Sequence, residues 1–308
     1  MHIKQISILF TFLFCFGILQ GQDNEEKAWC IINCDPSIHT ENKTLLYDNL
    51  MNDTVVRSAL DFELINFPLR FTYVSDTIVN IDASKHAKID KAVKDLNYAF
   101  RNTGVLFSKE NVTQIQSEVK LEDLSSNAYQ LYDTFSSTYD ISDMITVFIL
   151  DHQKEFCQIT DNSISCSRVG GFSYILSSRA NNLVLSQFDL NNPKIVAHEF
   201  GHFFGLYHTF EERLFGKDNF APHSCTKAGD LICDTPPDPG AVYEIYVNHA
   251  TCEMVGFKDK KGNKYNPILN NYMSYYKPCY LKEHIFTKDQ ELVIRLASRL
   301  MLRKKLSR

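Results

Sequence analysis

An α+β fold is what this sequence predicts, with a twisted mixed sheet and helices in an upper subdomain and an irregular, disulfide-stapled lower subdomain that ends in a helix. Three observations carry that prediction. Strand-like and helix-like apolar patterns alternate up to about residue 204, and loop-forming residues dominate from there to about residue 286. Four of the cysteines, at 225, 233, 252 and 279, fall inside the loop-rich stretch, where covalent links would replace a regular core.

Residues 1–21 begin with a short basic start (His2, Lys4), continue in an almost wholly apolar run from Ile6 to Leu19, and place Gly21 before the polar stretch 22–26. That is the pattern of a signal peptide, and it predicts export. The run is too short for a membrane span, and no later stretch approaches about 18 apolar residues. Of nine cysteines, Cys15 leaves with the signal peptide, so eight remain for an oxidising compartment and disulfides are the expectation. Residues 22–60 lack a clear strand, carry Cys30 and Cys34, and are expected to be a pro-segment before a main domain at 61–308.

The main domain opens with a strand over Leu64 to Val74. A helix follows over Ala83 to Arg101, with Ile89, Val93, Leu96 and Phe100 on one face, then an extended stretch from Val105 to Val119. A second helix is expected over Ser125 to Tyr139, a buried strand over Met144 to Leu150, and strands at Gly170 to Ser177 and Leu183 to Leu185. Between them, Cys157 and Cys166 flank a polar turn and are placed to close a hairpin. Asn191-Asn192-Pro193 supplies a capping amide and a first-turn proline for the next helix, which has Ile195, Val196, Phe200, Phe203 and Phe204 to bury. Thr287 and Gln290 form a capping box for the terminal helix.

The functional signal lies in that proline-initiated helix. Residues 198–208 read His-Glu-Phe-Gly-His-Phe-Phe-Gly-Leu-Tyr-His. On a helix, His198 and His202 stand one turn apart, about 6 Å along the axis, so both imidazoles can reach one ion at about 2.0–2.1 Å. Gly205 permits the turn that brings His208 back to the same ion. Three histidines leave a fourth position for water, the mark of a catalytic zinc site rather than a structural one. Glu199 is not needed as a ligand and is placed to act as general base on that water.

A second segment, Asn-Asn-Tyr-Met-Ser-Tyr-Tyr at 270–276, puts a methionine in a tight turn downstream of the histidines. Extended histidine motif and Met-turn together indicate a metzincin-type zincin. Met273 would lie beneath the zinc-binding imidazoles as a packing floor, and Tyr275 would swing its phenol toward the metal to hydrogen-bond an oxyanion. The chain resembles one metzincin branch, the pappalysin family, from roughly residue 64 to residue 296. The resemblance rests on His208-Thr209-Phe210, Gly229-Asp230, Asp234-Thr235-Pro236, the turn Asn271 to Tyr275, and Cys279 followed by Phe286 to Gln290.

That resemblance implies a secreted zinc endopeptidase made as a zymogen, with calcium as a structural ion for which Asp230 and Asp234 are the candidate ligands. It implies that Gly171, Phe172 and Ser173 lie on the sheet edge lining the cleft, where a protein or peptide substrate binds as an added strand. It leans toward disulfides Cys225 with Cys252 and Cys233 with Cys279, although the residues alone allow three connectivities. Two departures stand out. Ser274 replaces the aspartate that commonly follows the turn methionine. The loop from Tyr276 to Cys279 lacks the carboxylate by which some members choose arginine after the scissile bond, so arginine specificity does not carry over.

If six cysteines pair, Cys30 and Cys34 remain in the pro-segment, where a thiolate could occupy the open zinc position and impose latency. Pairing with each other, pairing with another cysteine, and Asp35 as the ligand are the alternatives. A net charge of −5 with interspersed signs leaves no footprint for nucleic acid, and a monomer is expected. The competing functional class is a catalytically silent zinc-binding or adhesion protein on the same scaffold, against which the intact Glu199 argues. A zinc hydrolase with a downstream glutamate as third ligand is disfavoured by Gly205 and His208.

Overall fold

The computed structural model describes residues 27–32, 64–117, 144–150, 155–160, 163–173, 181–212, 218–221, 224–279 and 282–306. The expected signal peptide, Cys34 and the expected helix from Ser125 to Tyr139 lie outside the described residues. Among those described, seven strands form one mixed sheet: β1 (Lys27–Ile32), β2 (Ile65–Ser75), β3 (Val105–Gln116), β4 (Ile145–Leu150), β5 (Glu155–Thr160), β6 (Ser163–Ser173) and β7 (Asn182–Ser186). The order is β1-β6-β7-β4-β2-β3, with β5 paired to β6. Pairings β2/β3, β2/β4, β4/β7 and β1/β6 are parallel, while β6/β7 and β5/β6 are antiparallel.

Sequence pattern and position in the sheet agree strand by strand. Central β4 is buried along its whole length, as a strand flanked by parallel neighbours and covered on both faces must be. In β2, Ile65, Phe67, Leu69, Phe71 and Tyr73 are all buried on one face. β3, outermost of the described strands on its side of the sheet, is buried at Val105 and Phe107, then turns polar at half-buried Lys109 and exposed Glu110 and Asn111.

Helix α1 (Ala83–Ala99) begins at Asp82, whose carboxylate accepts the Lys85 amide at 2.9 Å. It buries Ile89, Ala92 and Leu96. Helix α2 (Pro193–Phe203) starts on Asn192, whose side-chain oxygen accepts the Lys194 amide at 3.1 Å, with proline at its first position as expected. Phe200, Phe203 and Phe204 drive its buried face into an aromatic core with Phe67, Phe100, Phe107 and Phe286. The Phe107–Phe200, Phe100–Phe107 and Phe100–Phe286 centroids lie 4.9, 5.2 and 5.1 Å apart, each pair edge-on. The helix that carries the histidines is therefore clamped from behind.

Among the described residues from 206 to 287, regular structure is confined to short 3-10 turns and the two-residue strands β8 (Val247–Asn248) and β9 (Glu253–Met254). A second, smaller apolar cluster of Ala241, Met254, Tyr265, Leu269 and Tyr276 holds this region together, with Cys252 and Cys279 inside it. Helix α3 (Lys288–Leu306) closes the fold on the expected reciprocal capping box: the Thr287 amide donates to Gln290 Oε1 at 2.9 Å, and the Gln290 amide donates to Thr287 Oγ1 at 3.3 Å.

Three expectations are corrected. Residues 22–60 do contain a strand, β1; it is short and gains its identity only by non-local parallel pairing with β6, which no local pattern reports. The edge of β6 expected to be open is consequently paired, with Cys30 opposite Gly171, Ile31 opposite Phe172 and Ile32 opposite Ser173. Among the described residues the disulfides join Cys225 with Cys233 and Cys252 with Cys279. Positive φ at Gly229 (67°) and Leu231 (64°) turns the chain back between Cys225 and Cys233 and leaves their Cα atoms 5.0 Å apart, while Cys252 and Cys279 meet at 5.5 Å. The hairpin reading does hold in backbone register: Cys157 stands directly opposite Cys166.

Candidate metal centre

Helix α2 divides its faces between core and chemistry. Val196, Phe200 and Phe203 pack into the core, whereas His198, Glu199 and His202, all buried, occupy the other side. Gly205, at φ 99°, ends the helix in a conformation that a side chain would strain, and the Leu206 amide folds back onto the Gly201 carbonyl at 2.9 Å. His208 returns by this turn to the two helical imidazoles, as the spacing predicts.

The three Nε2 atoms converge. His202 Nε2 lies 3.0 Å from His198 Nε2 and 3.2 Å from His208 Nε2, and the latter two are 3.2 Å apart. His198 Nδ1 is 2.7 Å from the Tyr272 carbonyl and His202 Nδ1 is 2.7 Å from the Leu206 carbonyl. A carbonyl oxygen only accepts, so both Nδ1 atoms carry the proton and both Nε2 atoms present lone pairs. Lone pairs converging at such distances repel unless a cation lies among them. A point about 2.0–2.1 Å from all three nitrogens lies about 1 Å out of their plane, which fits zinc in three corners of a tetrahedron.

Burial pushes the pKa of His198 and His208 well below the ordinary histidine value, helped by neighbouring imidazoles, and brings His202 down to about 4. All three are neutral, the form that binds a metal, around neutral pH. Among the described residues, this is the cluster of three or more histidine, cysteine or acidic side chains able to hold an ion.

Two glycines let the surroundings close in. A Cβ at Gly171 would fall 2.5 Å from Glu199 Cγ and 2.7 Å from its Oε1, so β6 can pass directly beside the Glu199 carboxylate only with glycine there. A Cβ at Gly201 would fall 2.5 Å from Met273 Sδ, so glycine within the histidine motif is what admits the turn methionine beneath the helix. In sequence Gly171 reads only as part of a substrate edge, and Gly201 occupies a motif position that the zinc spacing leaves unspecified.

Met273 is fully buried, and its amide donates to Asn271 Oδ1 at 2.8 Å while its carbonyl accepts the Thr209 amide. Ser274, the departure from the commoner aspartate, donates its hydroxyl to the Asn271 carbonyl at 2.9 Å and so closes the turn. The Tyr275 ring lies 5.5 Å from His198, 4.6 Å from His208 and 4.9 Å from Phe210, and is partly exposed. His208 stacks flat on Phe210 at 4.8 Å.

The two candidate calcium ligands part company. Asp234 spends both oxygens on α3, accepting the Thr287 hydroxyl at 2.7 Å and the Asp289 amide at 2.9 Å. Asp230 accepts from the Ile232 amide and the Thr235 hydroxyl through Oδ1, and its Oδ2 is buried without a hydrogen-bond partner. Burial raises its pKa well above the carboxylate range.

Fold and site together define a zincin-type metal centre, a histidine-bearing helix under a mixed sheet with a methionine turn as its floor. Residues 135–300, more than half of the 308, match the model of peptidase family M43, described as Pregnancy-associated plasma protein-A, and the chain belongs to that family. Its curated relatives include an extracellular metalloprotease of Colletotrichum graminicola, 32% identical over 118 residues (38% of this chain and 34% of the relative). An extracellular metalloprotease of Podospora anserina is 32% identical over 107 residues (34% and 29%). The matches thus span about a third of the relatives' own length. One solved structure, of a chaperone-substrate complex, overlaps 78% of this chain and 36% of its own at TM-score 0.39 and 12% identity, too low to carry an argument.

Gly201→Ala is expected to push Met273 from beneath α2 and loosen the histidines, lowering zinc retention by about tenfold or more, as changes in the shell around a metal site do. Competition with a chromogenic chelator measures this; retention equal to the parent would show that the close approach is not needed.

Proposed function

We propose that this chain is a zinc-dependent endopeptidase, exported and made latent, that hydrolyses peptide bonds with Glu199 as general base. The convergence of three neutral imidazoles beside a buried, non-ligating carboxylate carries the reading. Membership of a metallopeptidase family and relatives named extracellular metalloproteases support it. The described residues include no helix long and apolar enough to cross a membrane.

When bound by His198, His202 and His208, zinc supplies Lewis acidity and lowers the pKa of a water toward about 7. Glu199 takes the proton from the attacking water and delivers it to the leaving amine. The Tyr275 hydroxyl, carried by a ring packed on two of the histidines, donates to the oxyanion that develops on the scissile carbonyl. The backbone of Gly171, Phe172 and Ser173 orients an extended peptide by pairing with it as an added strand. Glu199→Gln keeps ligands and volume but removes the base, so zinc stays at one per chain while the turnover of denatured protein falls by about a hundredfold or more. Parental turnover in that variant would refute the assignment.

Latency has its own support. Strand β1 pairs with the residues of β6 assigned here to the substrate, and its register sets Cys30 beside Gly171, which in turn abuts Glu199. In this reading β1 must leave before a substrate strand can enter, and Cys30 is the thiol offered to the open zinc position. A chain from residue 22 with Cys30 and Cys34 both changed to Ser is expected to process itself and gain activity over the unprocessed parent. Latency unchanged in that variant would eliminate both thiols.

Calcium is proposed at Asp230, where the unpartnered buried oxygen fits a hard cation, with Asp218 and Asp238 adding negative potential. Millimolar calcium should raise the melting temperature of the parent, and Asp230→Asn should abolish that response. A melting temperature indifferent to calcium would refute the site.

A further inference from the structure

Outside the zinc ligands, a lysine on the zinc helix bonds to the segment that follows the methionine turn. Lys194 lies one helical turn before His198 on the same face of α2. Its Nζ reaches over to donate to the carbonyl of Tyr276, the residue next to Tyr275. From the other side Glu244 Oε1 accepts the Lys277 amide at 2.7 Å and lies 3.5 Å from His249 Nε2. The segment 275–279, anchored below by the Cys252–Cys279 disulfide, thus forms a wall with an ammonium at its junction with the zinc helix.

The balance of donors and acceptors there is uneven. An ammonium has three N–H donors. Among the described residues, one of those of Lys194 meets an acceptor, and no carboxylate comes within 4.0 Å of Nζ. Glu244 is felt by Lys194 only at longer range, and burial brings the Lys194 pKa down to about 8, leaving it largely charged near neutrality. His284 Nε2 is likewise buried without a hydrogen-bond partner, and that ring feels the Lys194 charge. Lys277 adds a further basic side chain to the wall. Among the described residues no anionic oxygen therefore lies within bonding distance of Nζ, Glu244 being engaged with the Lys277 amide, and the zinc ligand one turn away places the reacting bond beside the ammonium.

We propose that Lys194 is a specificity-determining residue: it selects substrates in which the side chain lying against the 275–279 wall, adjacent to the scissile bond, is a carboxylate. The inference rests on the endopeptidase reading above. An aspartate or glutamate there would accept the free ammonium donors, whereas arginine or lysine would meet like charge in a partly desolvated site.

Cleavage sites in a proteome-derived peptide library, mapped by mass spectrometry for the full chain and for Lys194→Arg, Lys194→Met and Lys194→Glu, test it, with zinc per chain measured for each to confirm folding. The parent is expected to enrich acidic over basic residues beside the cleaved bond. Lys194→Arg should keep that enrichment, Lys194→Met should lower it by about tenfold, and Lys194→Glu should invert it. A parent that cleaves without acidic preference, or a preference that survives Lys194→Glu, overturns this inference alone. A zinc-loaded parent with β1 displaced that cleaves nothing overturns the endopeptidase reading and this inference with it.

Discussion

Three imidazole Nε2 atoms pointed at one another, those of His198 and His202 bearing lone pairs 3.0 Å apart, set the terms for everything around them. Without a cation that arrangement is repulsive, so the fold must both supply the ion's ligands and keep them from swinging apart. It does so through the far nitrogens. The Tyr272 and Leu206 carbonyls hold the Nδ1 protons of His198 and His202, fixing tautomer and ring plane in one interaction. Because Tyr272 belongs to the methionine turn and Leu206 to the turn after α2, ligand orientation depends on two segments remaining in place.

That dependence explains how far the polar network extends. Asn271 Nδ2 donates to Gln290 Oε1 at 2.8 Å, Gln290 caps α3 together with Thr287, and Thr287 donates to Asp234. A continuous chain of hydrogen bonds, buried as far as Thr287, therefore links the zinc floor to the terminal helix and to the loop after the Cys225–Cys233 disulfide. In a region with so little regular structure, side-chain hydrogen bonds and two disulfides perform the positioning that a sheet performs on the other side of α2. The second apolar cluster joins the same system, since the Tyr276 hydroxyl donates to Asp238 and Asp238 accepts from Thr209, one residue after His208.

What could be read in the sequence follows from the range of each interaction. The α2 cap, the Gly205 turn, the α3 capping box and the buried run of β4 are local, and each stands where its pattern puts it. The histidine and methionine motifs were legible because metal geometry and tight turns impose fixed spacing. Non-local choices were not. Nothing in residues 27–32 announces a partner more than a hundred residues away, and equal counts of cysteines cannot distinguish Cys225–Cys233 from a longer link. The closest contacts were also hidden: Gly171 against Glu199 and Gly201 against Met273 are absences of side chains, visible only when the neighbouring atom is in place. Asp234 reads as a cation ligand in sequence because capping a distant helix and binding a metal both call for a carboxylate.

The central claim is that His198, His202 and His208 hold one zinc ion through Nε2. Zinc X-ray absorption spectroscopy on the full chain, with metal content quantified alongside, tests it directly. The account predicts one zinc per chain and three imidazole nitrogens at about 2.0–2.1 Å, with one further ligand completing the tetrahedron. Fewer than three imidazoles at full zinc occupancy, or a spectrum unchanged when His208 is replaced by Ala, would contradict it.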